Sequence, residues 1–191
     1  MSLTTSCKNF RPEEPDAAVL NKRRLLGLDP GLRITGWGLI ESENNRLHHV
    51  ANGTVSTDST LRLSERLLQL HDGLAAVLTK YVPDEAAVEE TFVNRNPKST
   101  LKLGLARGVV LLAPALHGLK VAEYSANRVK KSVVGAGHAD KSQVDMMVRR
   151  LLPGCEPENA DATDALAVAI CHAHFSATGS RWEDALNAAS R

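Results

Sequence analysis

Four carboxylates sit where a chain could make them work together. Asp29 closes an apolar run that begins at Arg24, and Pro30–Gly31 follows it. A carboxylate at the end of such a run is costly to bury unless positive charge lies beside it. Asp-Pro-Gly is also good turn chemistry, so the tripeptide alone leaves both readings open. Glu89 lies in a short segment between Val88 and Phe92, and strand alternation puts it and Glu90 on opposite faces. Asp161 and Asp164, three apart, share one face of a helix start. Acids there often cap a helix and complement its dipole, and the pair taken alone favours that use. Yet Ala165 to Ile170 continues almost wholly apolar, so this helix must be buried with its start against a sheet. That turns its acids toward other acids. These sites, all on element ends, form a candidate hard-cation cluster. Oxygen-only ligands suit Mg²⁺ or Mn²⁺ rather than zinc. Two such ions ~4 Å apart can activate a water and stabilise the leaving oxygen of a phosphodiester.

The elements that must carry these residues can be read from periodicity. Arg24 to Asp29, Ile34 to Glu41 and Arg46 to Ser56 read as three strands joined by tight turns, an antiparallel meander. Apolar residues at 63, 67, 70, 74, 77, 78 and 81 mark a helix, with Ser59 or Thr60 as its cap and Pro83 beyond its end. Glu85 to Thr91 is a strand of unusual composition, rich in Ala and Glu. A helix at Ser99 to His117, a strand at Leu119 to Tyr124, and helices at Ser125 to Val134, Asp140 to Leu152 and Ala162 to Phe175 follow. A short further helix is expected at Trp182 to Ala189. Three strands followed by βα units imply an α/β fold with one mixed sheet and helices on its faces. Residues 1–22 are expected to be a disordered extension, residues 23–176 the folded domain and residues 177–191 a tail.

The 191 residues are enough for one domain with a full core. With only 4% aromatic residues that core must be mainly aliphatic. No continuous apolar run reaches the ~20 residues of a membrane span, so no membrane partner is expected. The N-terminus has no apolar signal core and carries Glu13, Glu14 and Asp16. Cys7, Cys155 and Cys171 form neither a disulfide framework nor a Cys-x-x-Cys pair, which implies a reduced, cytoplasmic setting. A net charge of +1 decides nothing about nucleic acid, but the basic residues bunch at 95–107, 128–131, 141 and 149–150. A near-neutral protein can still hold a basic groove if its acids lie elsewhere.

Seven blocks together resemble the RuvC-type Holliday-junction resolvases. They are Leu26-Gly-Leu-Asp-Pro-Gly31, Thr35-Gly-Trp-Gly38, Val88-Glu-Glu-Thr-Phe92, Leu101-Lys-Leu-Gly-Leu-Ala-Arg-Gly108, Val129-Lys-Lys-Ser-Val-Val-Gly135, Lys141-Ser-Gln-Val144 and Asp161-Ala-Thr-Asp-Ala-Leu-Ala167. Each block is weak, but the ordered set, spanning about Arg24 to His174, is specific. The resemblance implies an RNase H-like fold with a five-stranded mixed sheet flanked by helices. It implies a homodimer that resolves four-way DNA junctions by paired symmetric nicks. The four metal ligands would be Asp29, Glu89, Asp161 and Asp164, with Asp29 bridging two Mg²⁺ ions that Mn²⁺ can replace. RuvA and RuvB, the branch-migration proteins, are the implied partners. Glu90 departs from the family pattern, which often has glutamine there, and the first ~20 residues precede the family's usual start.

Other residues acquire expected roles. Phe92, ahead of the polar Asn94-Arg-Asn-Pro97 loop, is either a core aromatic or, as the resemblance favours, a platform for unpaired bases. Lys98, Lys102, Arg107, Lys130, Lys131 and Lys141 are candidate phosphate contacts, with Lys130 and Lys141 matching basic positions of the family. Gly104 and Gly108 lie on one helix face and permit close approach, either within the chain or to a second copy. His172 and His174 read as structural. Two other functions compete. An actin-like ATP-binding module would need a second such domain and no Asp161–Asp164 pair. A non-catalytic DNA binder would lack one or more of the four acids.

Overall fold

The computed structural model describes residues 22–189, apart from residue 45 and residues 91–95. The expected N-terminal extension and Phe92 lie outside the described residues. The elements are β1 (Arg23–Asp29), β2 (Ile34–Glu43), β3 (Arg46–Ser56), α1 (Leu63–Tyr81), β4 (Glu85–Glu90), α2 (Pro97–Leu116), β5 (Lys120–Ser125), α3 (Ala126–Val134), α4 (Lys141–Leu151) and α5 (Ala160–Ala189). The five strands form one mixed sheet in the order β3-β2-β1-β4-β5. Short turns make β1–β2 and β2–β3 antiparallel, while helical crossovers make β1–β4 and β4–β5 parallel.

Alternation along the central strands divides the core into two layers. Leu26, Leu28 and Val88 pack with Leu70, Leu74 and Val110 under α1 and α2. Leu25, Ile40 and Ala87 pack with Leu166, Ile170, Val144 and Val133 under α3, α4 and α5. α5 lies directly on β1 and β2 because glycines leave it room. A Cβ on Gly27 would come within 2.1 Å of the Ala165 carbonyl oxygen, and one on Gly36 within 2.0 Å of that of Asp161. Gly36 pairs with Asp29 across the β1–β2 ladder. The Leu-Gly-Leu and Gly-Trp-Gly patterns therefore form the bed on which the acidic helix start rests.

Several boundaries differ from the sequence expectations, three of them at helix ends with a clear local cause. α1 begins at Leu63 because Asp58 Oδ1 accepts from the Thr60 backbone N and hydroxyl, at 2.9 and 2.7 Å, and holds Thr60 in a turn. Glu65 closes the helix start instead, accepting from Arg62 N at 3.0 Å. α2 begins at Pro97, with Asn96 as its cap. α5 runs on to Ala189 with no separate tail helix, since Gly179 is the one helix-weakening residue in that stretch and no proline interrupts it.

α2 is, among the described helices, the one whose 20 residues and composition would suffice to cross a membrane, although no single run in it is continuously apolar. It buries Ala106, Val110 and Ala113 and exposes Leu101, Leu105, Leu112 and Leu116 on the opposite face. Gly104 and Gly108 lie on that exposed side, where an added Cβ would touch nothing. Packing within the chain thus gives no reason for either glycine.

Candidate active site

The first acid is placed by the sheet. Leu28 is the last β1 residue in register with β4, opposite Val88, so Asp29 and Glu89 leave the ladder side by side. Leu25, Gly27 and Asp29 alternate onto the α5 layer, as do Glu85, Ala87 and Glu89. Glu90 takes the other face and is exposed, so its departure from the family pattern does not enter the cluster.

The second pair is placed by α5. Asn159 precedes the helix, and its side-chain oxygen accepts from Ala162 N at 3.0 Å. Asn159 is therefore the cap, and neither Asp161 nor Asp164 is needed for that purpose. Gly36 lets the first turn press onto the end of β2, beside Asp29. With the cap assigned to Asn159, the charges of Asp161 and Asp164 both reach Asp29, and that of Asp164 also reaches Glu89.

Electrostatics register that convergence. Burial first, then the charges of Glu89, Asp164 and Asp161, push the Asp29 carboxyl up to about 8, against the pull of Lys141. Glu89 is also raised, chiefly by burial and by Asp164, and a hydrogen bond with Asp29 offsets part of that rise. At neutral pH the pair holds a proton that either carboxyl would lose in water. The cluster is short of positive charge. Part of the deficit is met by Lys141 at the start of α4, whose Nζ donates to Asp164 Oδ2 at 3.1 Å. Lys130 on α3 lies close enough to Glu89 to pull it down.

Four converging carboxylates with no His or Cys among them suit hard divalent cations. Among the described residues no three such side chains are drawn around a common point in this arrangement, with Lys141 resting on Asp164. The residues that could hold a cation are the same four acids.

The remaining expected contacts divide. Lys130 and Lys141 join the acids. Lys131, on another face of α3, lines a separate groove with Arg128 and Phe175. Lys98 and Lys102 are exposed on the first turns of α2. Arg107 is not a free phosphate contact: its guanidinium donates to Glu123 on β5. His172 is structural, as expected. Its Nε2 donates to Glu85 at 2.9 Å, which leaves Nδ1 to accept from the Tyr124 hydroxyl at 2.9 Å.

Sequence reasoning missed the cleft beside the acids. It has a volume of about 390 Å³ and is lined by Lys141, Ser142, Asp145, Arg149, Asn159 and Asp164, among others. The Thr163 hydroxyl reaches Asp145 at 3.4 Å, and Arg149 pairs with Asp145 at 2.9 Å. The four-residue spacing of Asp145 and Arg149 was the available signal.

Comparison with known proteins bears on the family and the fold. The sequence model of one family, described as crossover junction endodeoxyribonuclease RuvC, matches residues 25–172. The RuvC of Rhodospirillum rubrum is 68% identical over 154 residues, covering 81% of this chain and 91% of that protein. That of Paramagnetospirillum magneticum is 66% identical over 155 residues, covering 81% and 93%. Among solved structures, T. thermophilus RuvC in complex with Holliday junction substrate is similar with a TM-score of 0.77 and 33% identity, over 82% of this chain and 96% of that one. A yeast mitochondrial Holliday junction resolvase shares the fold at 13% identity, with a TM-score of 0.63.

Proposed function

Since the chain belongs to the RuvC family of crossover junction endodeoxyribonucleases, we propose that it resolves four-way Holliday junctions by hydrolysing one phosphodiester in each of two opposed strands, during recombination and DNA repair. The observation that carries this reading is the convergence of Asp29, Glu89, Asp161 and Asp164 at one end of the sheet, with Asp29 raised to about 8 by that company. Such repulsion is tolerated where a cation relieves it in use.

The four acids would hold two Mg²⁺ ions, or Mn²⁺ in their place. When bound, the metals would supply water activation and stabilisation of the leaving oxygen. The chain's own contribution is position. β1 and β4 fix Asp29 and Glu89 on a rigid ladder, and the glycine bed fixes Asp161 and Asp164 against them. Lys141 neutralises Asp164 while the site is at rest, and its long exposed stem leaves it able to turn to a phosphate. Lys130, beside Glu89, offers a second contact on the same strand of DNA. Phe92, six residues beyond Ala86 on the chain segment that leaves β4, serves unpaired bases at the crossover.

Two opposed nicks need two sites related by a two-fold axis. The exposed leucines and open glycines of α2 support a homodimer through that helix. RuvA and RuvB are the proposed partners at the junction. The test compares an immobile four-way junction, a linear duplex and a single strand, each with and without Mg²⁺. Paired symmetric nicks on the junction alone, and only with metal, support the reading. Equal cutting of all three substrates refutes junction selectivity, and ATP turnover without cleavage refutes the nuclease.

A further inference from the structure

On the same layer of the sheet, but away from the acids, α3 and α5 enclose a groove of about 670 Å³. Its walls are Asn127, Arg128, Lys131, Ser132, His174 and Phe175, with no carboxylate among them. The Arg128 guanidinium lies 4.6 Å from the centroid of the Phe175 ring, and that ring stacks at 5.7 Å on Tyr124 beneath it. Tyr124 is held in turn by the hydrogen bond to His172. Arg128 also lies 6.0 Å from the centroid of Tyr124, so it packs against both rings of a fixed aromatic pair, with N–H donors left for a ligand.

Arg23, Arg24, Arg107 and Arg149 each hold a carboxylate. Among the described residues neither Arg128 nor Lys131 has a carboxylate at ion-pairing distance. Both lie on α3, three residues apart and so on one side of the helix. A guanidinium with an ammonium on the same side of the helix and an amide at hand matches the donors that phosphate diesters recruit; the Ser132 hydroxyl is engaged with His174 at 3.0 Å.

We propose that this groove is a second DNA contact, holding the phosphodiester backbone of a junction arm at a distance from the cut. This rests on the junction-cleaving reading above. Phe175 follows Asp164 by eleven residues of α5, about 16 Å along the helix at ~1.5 Å per residue. That distance corresponds to about five base-pair steps at ~3.4 Å each. Lys130 faces the acids from the next position of the same helix. α3 thus presents one cation to the reacting strand and two others to the arm beyond it.

The test uses the full chain with chelator present, so that binding is read without cleavage. Arg128→Gln and, separately, the exposed Lys131→Gln are titrated with an immobile four-way junction over a range of salt. Each lost contact lowers affinity about tenfold near 0.1 M salt and flattens the slope of log affinity against log salt by about one. Phosphates of one arm are then replaced singly by neutral methylphosphonates. Wild type loses affinity at substitutions about five steps from the cut, and the variants are indifferent there. Unchanged affinity and slope in both variants overturn the proposal. So does a loss that simply adds to that of the methylphosphonates at every position. Cleavage by wild type with Mg²⁺, run alongside, separates failure of this groove from failure of the junction reading.

Discussion

Replacing Asp29 by Asn should make the metal-free protein more stable while removing its cleavage activity. The side chain changes little in shape, but one negative charge leaves a crowded site. Asp29 has its carboxyl raised from 3.8 to about 8 in the fold. In the unfolded chain it ionises near its ordinary value, so folded stability falls as pH rises from about 4 through about 8. At ~1.4 kcal/mol per tenfold change in proton affinity, the ceiling above pH 8 is about 6 kcal/mol. The side chain keeps some contact with solvent and its acidic neighbours can turn away, which reduces the gain to the order of 2–3 kcal/mol. For a chain of this size that is ~5–10 °C in melting temperature. The assay is thermal unfolding in chelator at pH 5 and pH 8.5, then with Mg²⁺. The variant melts higher than wild type at pH 8.5, and the advantage shrinks at pH 5. Added Mg²⁺ raises wild type alone. A variant that melts at or below wild type at pH 8.5, or that still cuts junctions, refutes the account of the cluster.

Further consequences follow from packing. Gly27→Ala drives a Cβ toward the Ala165 carbonyl, 2.1 Å away, and should cost on the order of 3 kcal/mol or more; a cost under ~1 kcal/mol in denaturant titration would show that α5 does not depend on that bed. Leu105→Glu with Leu112→Glu, on the exposed face of α2, should leave the fold within ~0.5 kcal/mol of wild type yet yield monomers by light scattering and single rather than paired nicks. A persistent dimer would place the interface elsewhere. Glu85 has its carboxyl held below its usual range by His172 first and then Arg23. Its contribution is present above about pH 4.5 and is lost as pH falls through its depressed value, so Glu85→Gln should flatten the acid limb of the stability curve and cost ~1 kcal/mol at pH 7. An unchanged acid limb would remove the His172 bridge from the stability of the fold.

Much of this was legible in the residues. Asp29 was conspicuous because an apolar strand ends on it, and Asp161 with Asp164 because a wholly apolar helix begins on them. What sequence could not decide was whether that pair capped α5. The sequence reading did not single out Asn159, and the bond from Ala162 N gives the cap to it and not to Asp161. Glu89 and Glu90 were equivalent until the sheet assigned layers. The lysines were harder, since adjacent residues on a short helix differ by a face: Lys130 meets the acids and Lys131 does not. Arg107 looked like its neighbours, but Glu123, sixteen residues away on another strand, claims it. The start of α1 was misplaced because Asp58 forms a local turn with Thr60, a bond that competes with the helix and leaves no periodic trace.

The central claim is that four acids form one two-ion site for cutting DNA. Its most direct test is a count of bound Mn²⁺ by electron paramagnetic resonance, with an uncleavable junction present, for wild type and for Asp29→Asn, Glu89→Gln, Asp161→Asn and Asp164→Asn. The account predicts two ions per chain in wild type and a loss of at least one in each variant, with Asp29→Asn losing most. Two ions retained in any of the four variants would contradict it.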